Sequence, residues 1–269
     1  ENRDPLHRYA AELVGYANTQ VVATAKNARY RQIAFDGFED YEFNKLHGKS
    51  PCFRRHFGFD PLQVTSDISH SGKYALRLPA GGFTQIQDKL QWPDCPVPLA
   101  AKPANVPFVL DDCDGVGRFS PDSGKYVVSL WVRELRDAYA LNYEQAEVTI
   151  SSGGLTKNFK ATGPIIEGWQ RIYGEFDVSP LAKNFIISLK AAPDVVTWFD
   201  DVRIHPFDAS FKSFVYDDVS LRFTYELDEN NFFTKYEYDQ QGMLERVKKE
   251  TERGVMMIQE SRFGQQKNQ

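Results

Sequence analysis

Cysteine is scarce in this chain of 269 residues: there are three, at positions 52, 95 and 113. No pair has the C-x2-C spacing of common structural zinc sites, so His47, Cys52, His56, Cys95 and Cys113 make a poor zinc set. Cys95 and Cys113 close a Pro-rich loop, and a bridge across it would contribute roughly 3 kcal/mol by loop closure. Three cysteines allow three single bridges, and the pairing stays open. Long apolar runs are missing as well. None reaches the roughly 18 residues that argue for a membrane helix, and no basic stretch followed by an apolar one opens the chain as a signal peptide would. Positive charge is not in excess: 32 Lys and Arg face 37 Asp and Glu, a net charge of -5. That argues against an electrostatic grip on nucleic acid or anionic lipid.

Catalytic constellations are lacking too. There is no G-x-S-x-G, no Gly-rich phosphate loop and no His pair at helical spacing. The carboxylates of FEDYE and FDDV suit a turn or a metal better than an acid and base pair, because general acid catalysis needs a carboxyl with a raised pKa in a cleft. The chain is therefore expected not to be an enzyme. Strands do not alternate with helices, which excludes a dinucleotide-binding α/β domain.

What is present is aromatic: 14% of residues, with 20 Phe and 13 Tyr, types that pack well on pleated, half-buried surfaces. Residues 17–34 hold the best helical window, with Val21, Ala25 and Ala28 at helical spacing, and predict one short N-terminal helix. From Phe35 the period becomes two. KYALRLPAG, GKYVVSLWVRE, AEVTISSGG, WQRIYGEFDVS, NFIISLKAA and VTWFDDVRIHPF read as strands between Gly, Pro, Asn, Asp and Ser clusters, the pattern of two layered antiparallel sheets. Residues 88–121 interrupt them with six prolines, a surface loop of unusual length.

FDGFEDY (35–41), HSGKYALRL (70–78), GKYVVSLWVRE (124–134), GWQRIYGEFDV (168–178) and WFDDVRI (198–204) occur in the order seen in jelly-roll carbohydrate-binding modules of secreted polysaccharide-degrading enzymes. The resemblance implies a jelly-roll β-sandwich over residues 35–208 and one structural calcium. Carried over, its ligands would be Glu39, the carbonyls around Ser71 and Lys73, and Asp200. Asp200 shares the strand face of Val202 and Ile204, so its carboxylate would point to the core and need a partner; a parity shifted by one makes Asp201 the inward residue instead. A glycan partner needs an exposed ring flanked by polar groups. Val128, Leu130 and Val132 share one face of their strand, leaving Trp131 and Arg133 on the other, with Tyr139 and Tyr143 in the next loop and Trp92 in the Pro-rich segment. The alternative covers Trp131 with that loop or the helix. Trp169 is similar to the family's buried core tryptophan.

The tail, residues 209–269, repeats itself. FVYD (Phe214 to Asp217) and YEYD (Tyr236 to Asp239) lie 22 residues apart, each followed by a turn and a strand-like run. This resembles the YD repeats of Rhs-type and toxin-shell proteins, in which Asp239, Gly242 and Leu244 would mark one hairpin. DPLHRYAAELVGY, in the lead-in 1–34, resembles a degenerate copy, and MLERVKKETERG could instead fold as a helix. Such repeats need neighbours, so the expectation is a piece of a large secreted or cell-surface bacterial protein. Its module would be non-catalytic, carbohydrate-binding or adhesive, or else a spacer docked on neighbouring domains. Unpaired edges of this tail would invite association.

Overall fold

The computed structural model describes residues 1–5, 8–47, 56–90, 118–136 and 140–261. Three strands come first: β1 (Asn2–Arg3), β2 (Tyr9–Gly15) and β3 (Gln20–Lys26). Then follow β4 (Ala34–Asp36), the helix α1 (Tyr41–His47), β5 (Val64–Thr65), β6 (Ala75–Leu78), β7 (Phe83–Lys89) and β8 (Gly124–Glu134). β9 (Glu147–Ser152), β10 (Leu155–Ile166), β11 (Trp169–Val178), β12 (Asn184–Lys190) and β13 (Thr197–Pro206) complete the middle of the chain. The tail contains β14 (Ser210–Tyr216), β15 (Phe223–Leu227), β16 (Phe233–Tyr238), β17 (Leu244–Thr251) and β18 (Gly254–Glu260). Cys52, Cys95, Cys113, Trp92 and most of the Pro-rich segment lie outside the described residues.

The helix expected within residues 17–34 does not form. QVVATAK is strand β3, and Tyr30–Gln32 makes one 3-10 turn. Val21, Val22 and Thr24 are β-branched, and Ala23 and Ala25 alternate into a buried face. Pairing with strands on both sides overrides a weak helical period. MLERVKKETERG likewise contributes strand β17 and a tight turn rather than a helix.

Strands β4 to β13 form a jelly-roll β-sandwich. Its ten strands are one curled sheet in the order β5-β6-β13-β8-β11-β10-β9-β12-β7, with β4 also on β13. β10 carries the chain between layers. Leu155 to Lys160 pair with β9, whereas Ala161 to Ile166 pair with β11 across an irregular register. Gly163 bends the strand there at a φ of +83°, a conformation glycine takes without a side-chain clash. Between the layers, Leu76, Val128, Leu130, Val132, Ile172, Phe199 and Ile204 meet Val148, Ile150, Phe185, Ile187 and Leu189, all buried. Each such side chain is worth about 1.5–3 kcal/mol of burial, so this core dominates the energetics of the middle segment.

The remaining strands make an eight-stranded antiparallel meander, β1-β2-β3-β14-β15-β16-β17-β18. The sandwich is inserted in the connection between β3 and β14, which pair directly, Ala23 opposite Ser213 and Lys26 opposite Ser210. Aspartates close its turns. The Asp217 N–H donates to the Arg222 carbonyl at 2.9 Å while its Oδ1 accepts the Ser220 N–H at 2.7 Å. The Asp239 N–H donates to Met243 O at 2.9 Å, and its Oδ1 accepts from the N–H groups of Gln241 and Met243 at 2.9 and 2.8 Å. Asp228 does the same with Phe232 and Asn230, and Asp4 with Arg8. Such side-chain-to-backbone bonds define each turn locally. Asp239→Ala is expected to lower stability by about 1–2 kcal/mol without dissolving the sandwich, read as a shift in urea midpoint at unchanged slope.

Candidate functional site

Alternation along β8 puts Trp131 and Arg133 on the outer face of the sandwich, as the sequence predicts. Trp169 and Arg171 on β11 and Trp198 and Arg203 on β13 share that side of the sheet through the register Arg171 to Trp131 and Trp198 to Arg133. Solvent does not meet Trp131 there. The turn between β15 and β16 does, and each of its four successive carbonyls accepts a sandwich side chain. Arg203 donates to Asp228 O and Glu229 O at 2.7 Å each, Arg171 to Asn230 O at 2.6 Å, and the Trp131 indole N–H to Asn231 O at 2.7 Å. Asn231, in the left-handed region at a φ of +68°, returns an amide bond of 3.1 Å to Asp201 O. Phe232 packs edge-on against the Trp131 ring at 5.5 Å.

Trp131 is consequently 1% exposed, which overturns the expectation of an open platform. Its cover is the tail's own hairpin, a cover the sequence had not suggested. Tyr143 is buried; its N–H donates to Gln170 Oε1 at 2.7 Å and its hydroxyl to Gly168 O at 2.9 Å. Arg133 lies half-buried, 3.5 Å from Glu167 O. Tyr139 is outside the described residues. Trp131, Arg133 and Tyr143 do not assemble into an exposed sugar-stacking surface. Trp169 is buried as expected, but on this outer face beside Trp131 and Trp198 rather than between the layers.

Beneath the docked turn sits a charged cluster that sequence reasoning missed. The His70 ring stacks on Trp131, centroids 4.2 Å apart at 18°, with the edges of Trp169 and Phe233 around it. Its Nδ1 meets Asp201 Oδ2 at 2.7 Å and its Nε2 meets Glu250 Oε1 at 2.9 Å, and all three side chains are buried. Glu250 belongs to β17 and Asp201 to β13, so the imidazole bridges meander and sandwich. Burial alone pushes the His70 pKa down, but Glu250 and Asp201 outweigh it and hold the ring up at about 9. It is an imidazolium at neutral pH, donating from both nitrogens.

The calcium ligands inferred from the resemblance lie beside this cluster. Asp200 does not point into the core, because β13 bulges: the ladder to β8 shifts between Asp200 and Arg203, Asp201 has a φ of +50°, and Asp200 stands opposite Trp131. Both aspartates thus face outward under the Ser-Gly loop. Asp200 Oδ2 accepts the His70 and Ser71 N–H groups at 2.7 and 3.4 Å, and its Oδ1 accepts from Asp201 at 2.8 Å. Glu39 Oε1 accepts the N–H groups of Lys73 and Tyr74 at 2.8 Å each. A side chain at Gly72 would stand 2.3 Å from that carboxyl, so the loop closes over it. The Lys73 ammonium reaches instead to Asp218, 3.1 Å away.

Burial, and then the neighbouring carboxylates, push Asp200 well above its usual range; burial does the same to Glu39 against its two N–H bonds. Donors surround these oxygens, and no group of three or more ligating side chains converges among the described residues. Glu39 and Asp200 are thus satisfied by backbone N–H donors without a metal ion. Melting temperatures in calcium and in EDTA are expected to agree; a calcium-dependent rise would reinstate the metal, since a cation bound only by the folded state must stabilise it.

At one end of the sandwich a cleft of about 670 Å³ is lined by Tyr41, Pro61, Thr65, Asp67, Tyr74, Arg77 and their neighbours. The Asp67 carboxylate is held by the Thr65 hydroxyl and the Trp198 N–H. No helix of the described residues is long and apolar enough to cross a membrane.

No family model matches the chain, and no curated protein matches it. Among solved structures it is similar to the "Family 16 Carbohydrate Binding Module-2" at 10% identity, covering 56% of this chain and 88% of that one, with a TM-score of 0.32. The CBM22-1 xylan-binding domain from Paenibacillus barcinonensis Xyn10C matches at 12% identity over 55% of this chain and 80% of its own, with a TM-score of 0.31. CBM35 from Cellvibrio japonicus Abf62 matches at 12% identity over 75% and 95%, with a TM-score of 0.30. At that level nothing about ligands transfers, and the chemistry has to come from this chain's own side chains.

Proposed function

We propose that the chain is a non-catalytic docking or spacer module of a larger secreted or cell-surface protein. Its sandwich is set on a meander of the YD-repeat kind, and its partners are neighbouring domains of that protein. The observation that supports this reading is the engagement of four consecutive carbonyls, from Asp228 to Asn231, by sandwich side chains. A surface kept for a soluble ligand would not be sealed by the chain itself. Two further contacts fix the same relation. Asp218, in the turn after β14, accepts from Lys73 and from the Tyr74 hydroxyl. In the turn after β2, the Tyr16 N–H donates to Asp40 Oδ2 at 3.2 Å and the Ala17 N–H donates to Asn44 Oδ1 of α1 at 2.6 Å.

The test is hydrogen exchange across the turns. Amides of residues 228–233 should be protected like those of the sandwich core, and those of 239–243, which close an exposed turn, should exchange far faster. Equal rates in the two turns would refute the docking reading.

The end cleft favours a second reading, glycan binding at a site other than Trp131. Its lining mixes Tyr74, Pro61 and Val64 with Thr65, Ser66, Asp67 and Arg77, apolar faces beside hydroxyl-matching groups. On this reading the chain binds a glycan array, Arg77→Ala loses at least about tenfold in affinity, and Trp131→Phe binds as the wild type does. No retention on any glycan, or binding indifferent to Arg77, would remove it.

A further inference from the structure

The end cleft holds one group that the fold does not use. Arg77 lies on β6, on the strand face of Trp198, its partner across the ladder. Its side chain is 42% exposed, and among the described residues its guanidinium donates no hydrogen bond. By contrast, Arg203 and Arg171 are committed to turn carbonyls, Arg136 to Glu134 and Asp194, and Arg31 to Asp122.

What surrounds Arg77 holds it without occupying it. The guanidinium carbon stands 5.9 Å from the centre of the Trp198 ring, and the indole N–H donates to Asp67 Oδ1 at 3.4 Å. The Thr65 hydroxyl donates to the same oxygen. Asp67 Oδ2 then faces Arg77 Nε at 3.8 Å, an ion pair too long for a hydrogen bond. Burial pushes the Asp67 carboxyl up, but its hydrogen bonds, the one from Thr65 foremost, and the charge of Arg77 hold it below its usual range. The carboxylate thus buttresses the Nε side of the guanidinium and leaves the two terminal nitrogens to a ligand.

That fork decides the kind of ligand. Parallel N–H donors match both oxygens of a carboxylate, and such charge-assisted bonds are about twice as strong as those between neutral groups. A sugar hydroxyl meets the same fork through one oxygen and brings no charge. The cleft itself is close to neutral, because Asp67 faces Arg77 and Glu42 pairs with Lys45 at 3.5 Å, so directed donors rather than an overall field select what enters. Beside the fork, the Ser66 hydroxyl is unpaired among the described residues, and Tyr74 and Pro61 offer apolar faces to a ring. Resting on the glycan reading of this cleft, we infer that its ligand is an acidic glycan, a chain carrying hexuronate, whose carboxylate seats on the terminal nitrogens of Arg77.

The experiment is calorimetric titration of the full 269-residue chain with an oligogalacturonate and with its methyl ester, which keeps the ring and removes the charge. The acid should bind at least about tenfold more tightly than the ester. Arg77→Gln should bind the two alike, and Arg77→Lys, which keeps the charge but not the fork, should bring the ratio below about threefold. Acid and ester bound equally by the wild type overturn the inference and leave the glycan reading in place, whereas no binding of either, nor of any neutral oligosaccharide, removes both. A preference for the acid that survives in Arg77→Gln overturns the assignment to this fork.

Discussion

A His70→Ala chain is expected to lose about 3–5 kcal/mol of unfolding free energy at neutral pH, because removing one partner of a buried ion network strands the others. Asp201 and Glu250 would remain in an apolar shell of Trp131, Trp169 and Phe233 with no cation to answer them. The pH profile gives a sharper signature than the magnitude. The ring titrates near 9 in the folded chain against an ordinary 6.5, so its contribution is fully present below 6.5 and is lost as pH rises through 9. A displacement of that size corresponds to about 3 kcal/mol, in line with the mutational figure. Glu39 and Asp200, pushed up by burial, act with the same sign: the unfolded chain gives up their protons first, so their share of stability falls as pH rises past the usual carboxylate range. Urea midpoints measured at several pH values should therefore decline from mildly acid to alkaline solution. The His70→Ala chain should show a flatter decline between 6.5 and 9, and parallel profiles would refute the role assigned to the imidazolium.

Trp131→Ala is the second large effect, about 3–5 kcal/mol for deleting a buried indole. The loss has three parts on the page: the stack on His70, the edge contact with Phe232 and the bond to Asn231 O. Because Asn231 is otherwise tied to Ser129 and Asp201, the turn loosens rather than departs. Exchange of the 228–233 amides should rise much more than that of Val148 or Ile187 in the opposite layer. A uniform rise would mean that the indole supports the sandwich alone and not the junction.

Much of the fold was legible because it is periodic. GKYVVSLWVRE, WQRIYGEFDVS and NFIISLKAA alternate cleanly, and each is a strand of the sandwich. The tail repeat was legible at Asp217 and Asp239, which head equivalent turns; Asp228, midway between them and 11 residues from either, heads a third that lacks the tyrosine and so escaped notice. QVVATAK was misread because small alanines satisfy helical and strand periods alike, and only the neighbouring strands decide. The outward direction of Trp131 followed from parity, but what covers it lies 100 residues further along the chain. Asp200 shows how little suffices to defeat parity: one bulge turned an inward ligand into an outward one. His70 and Glu250 are 180 residues apart, and nothing local distinguishes either from an ordinary surface residue.

The adjacency of Lys26 and Ser210, partners in one ladder, has an evolutionary and practical reading. A chain that exits and re-enters through neighbouring positions can gain or shed everything between them with little disturbance to the ribbon it interrupts, since loop-closure entropy grows only slowly with length. The doorway is thus permissive toward many cassettes. What makes this particular cassette a resident rather than a visitor is the imidazolium held by the ribbon's Glu250, together with the grip of Arg203, Arg171 and Trp131 on the ribbon's turn.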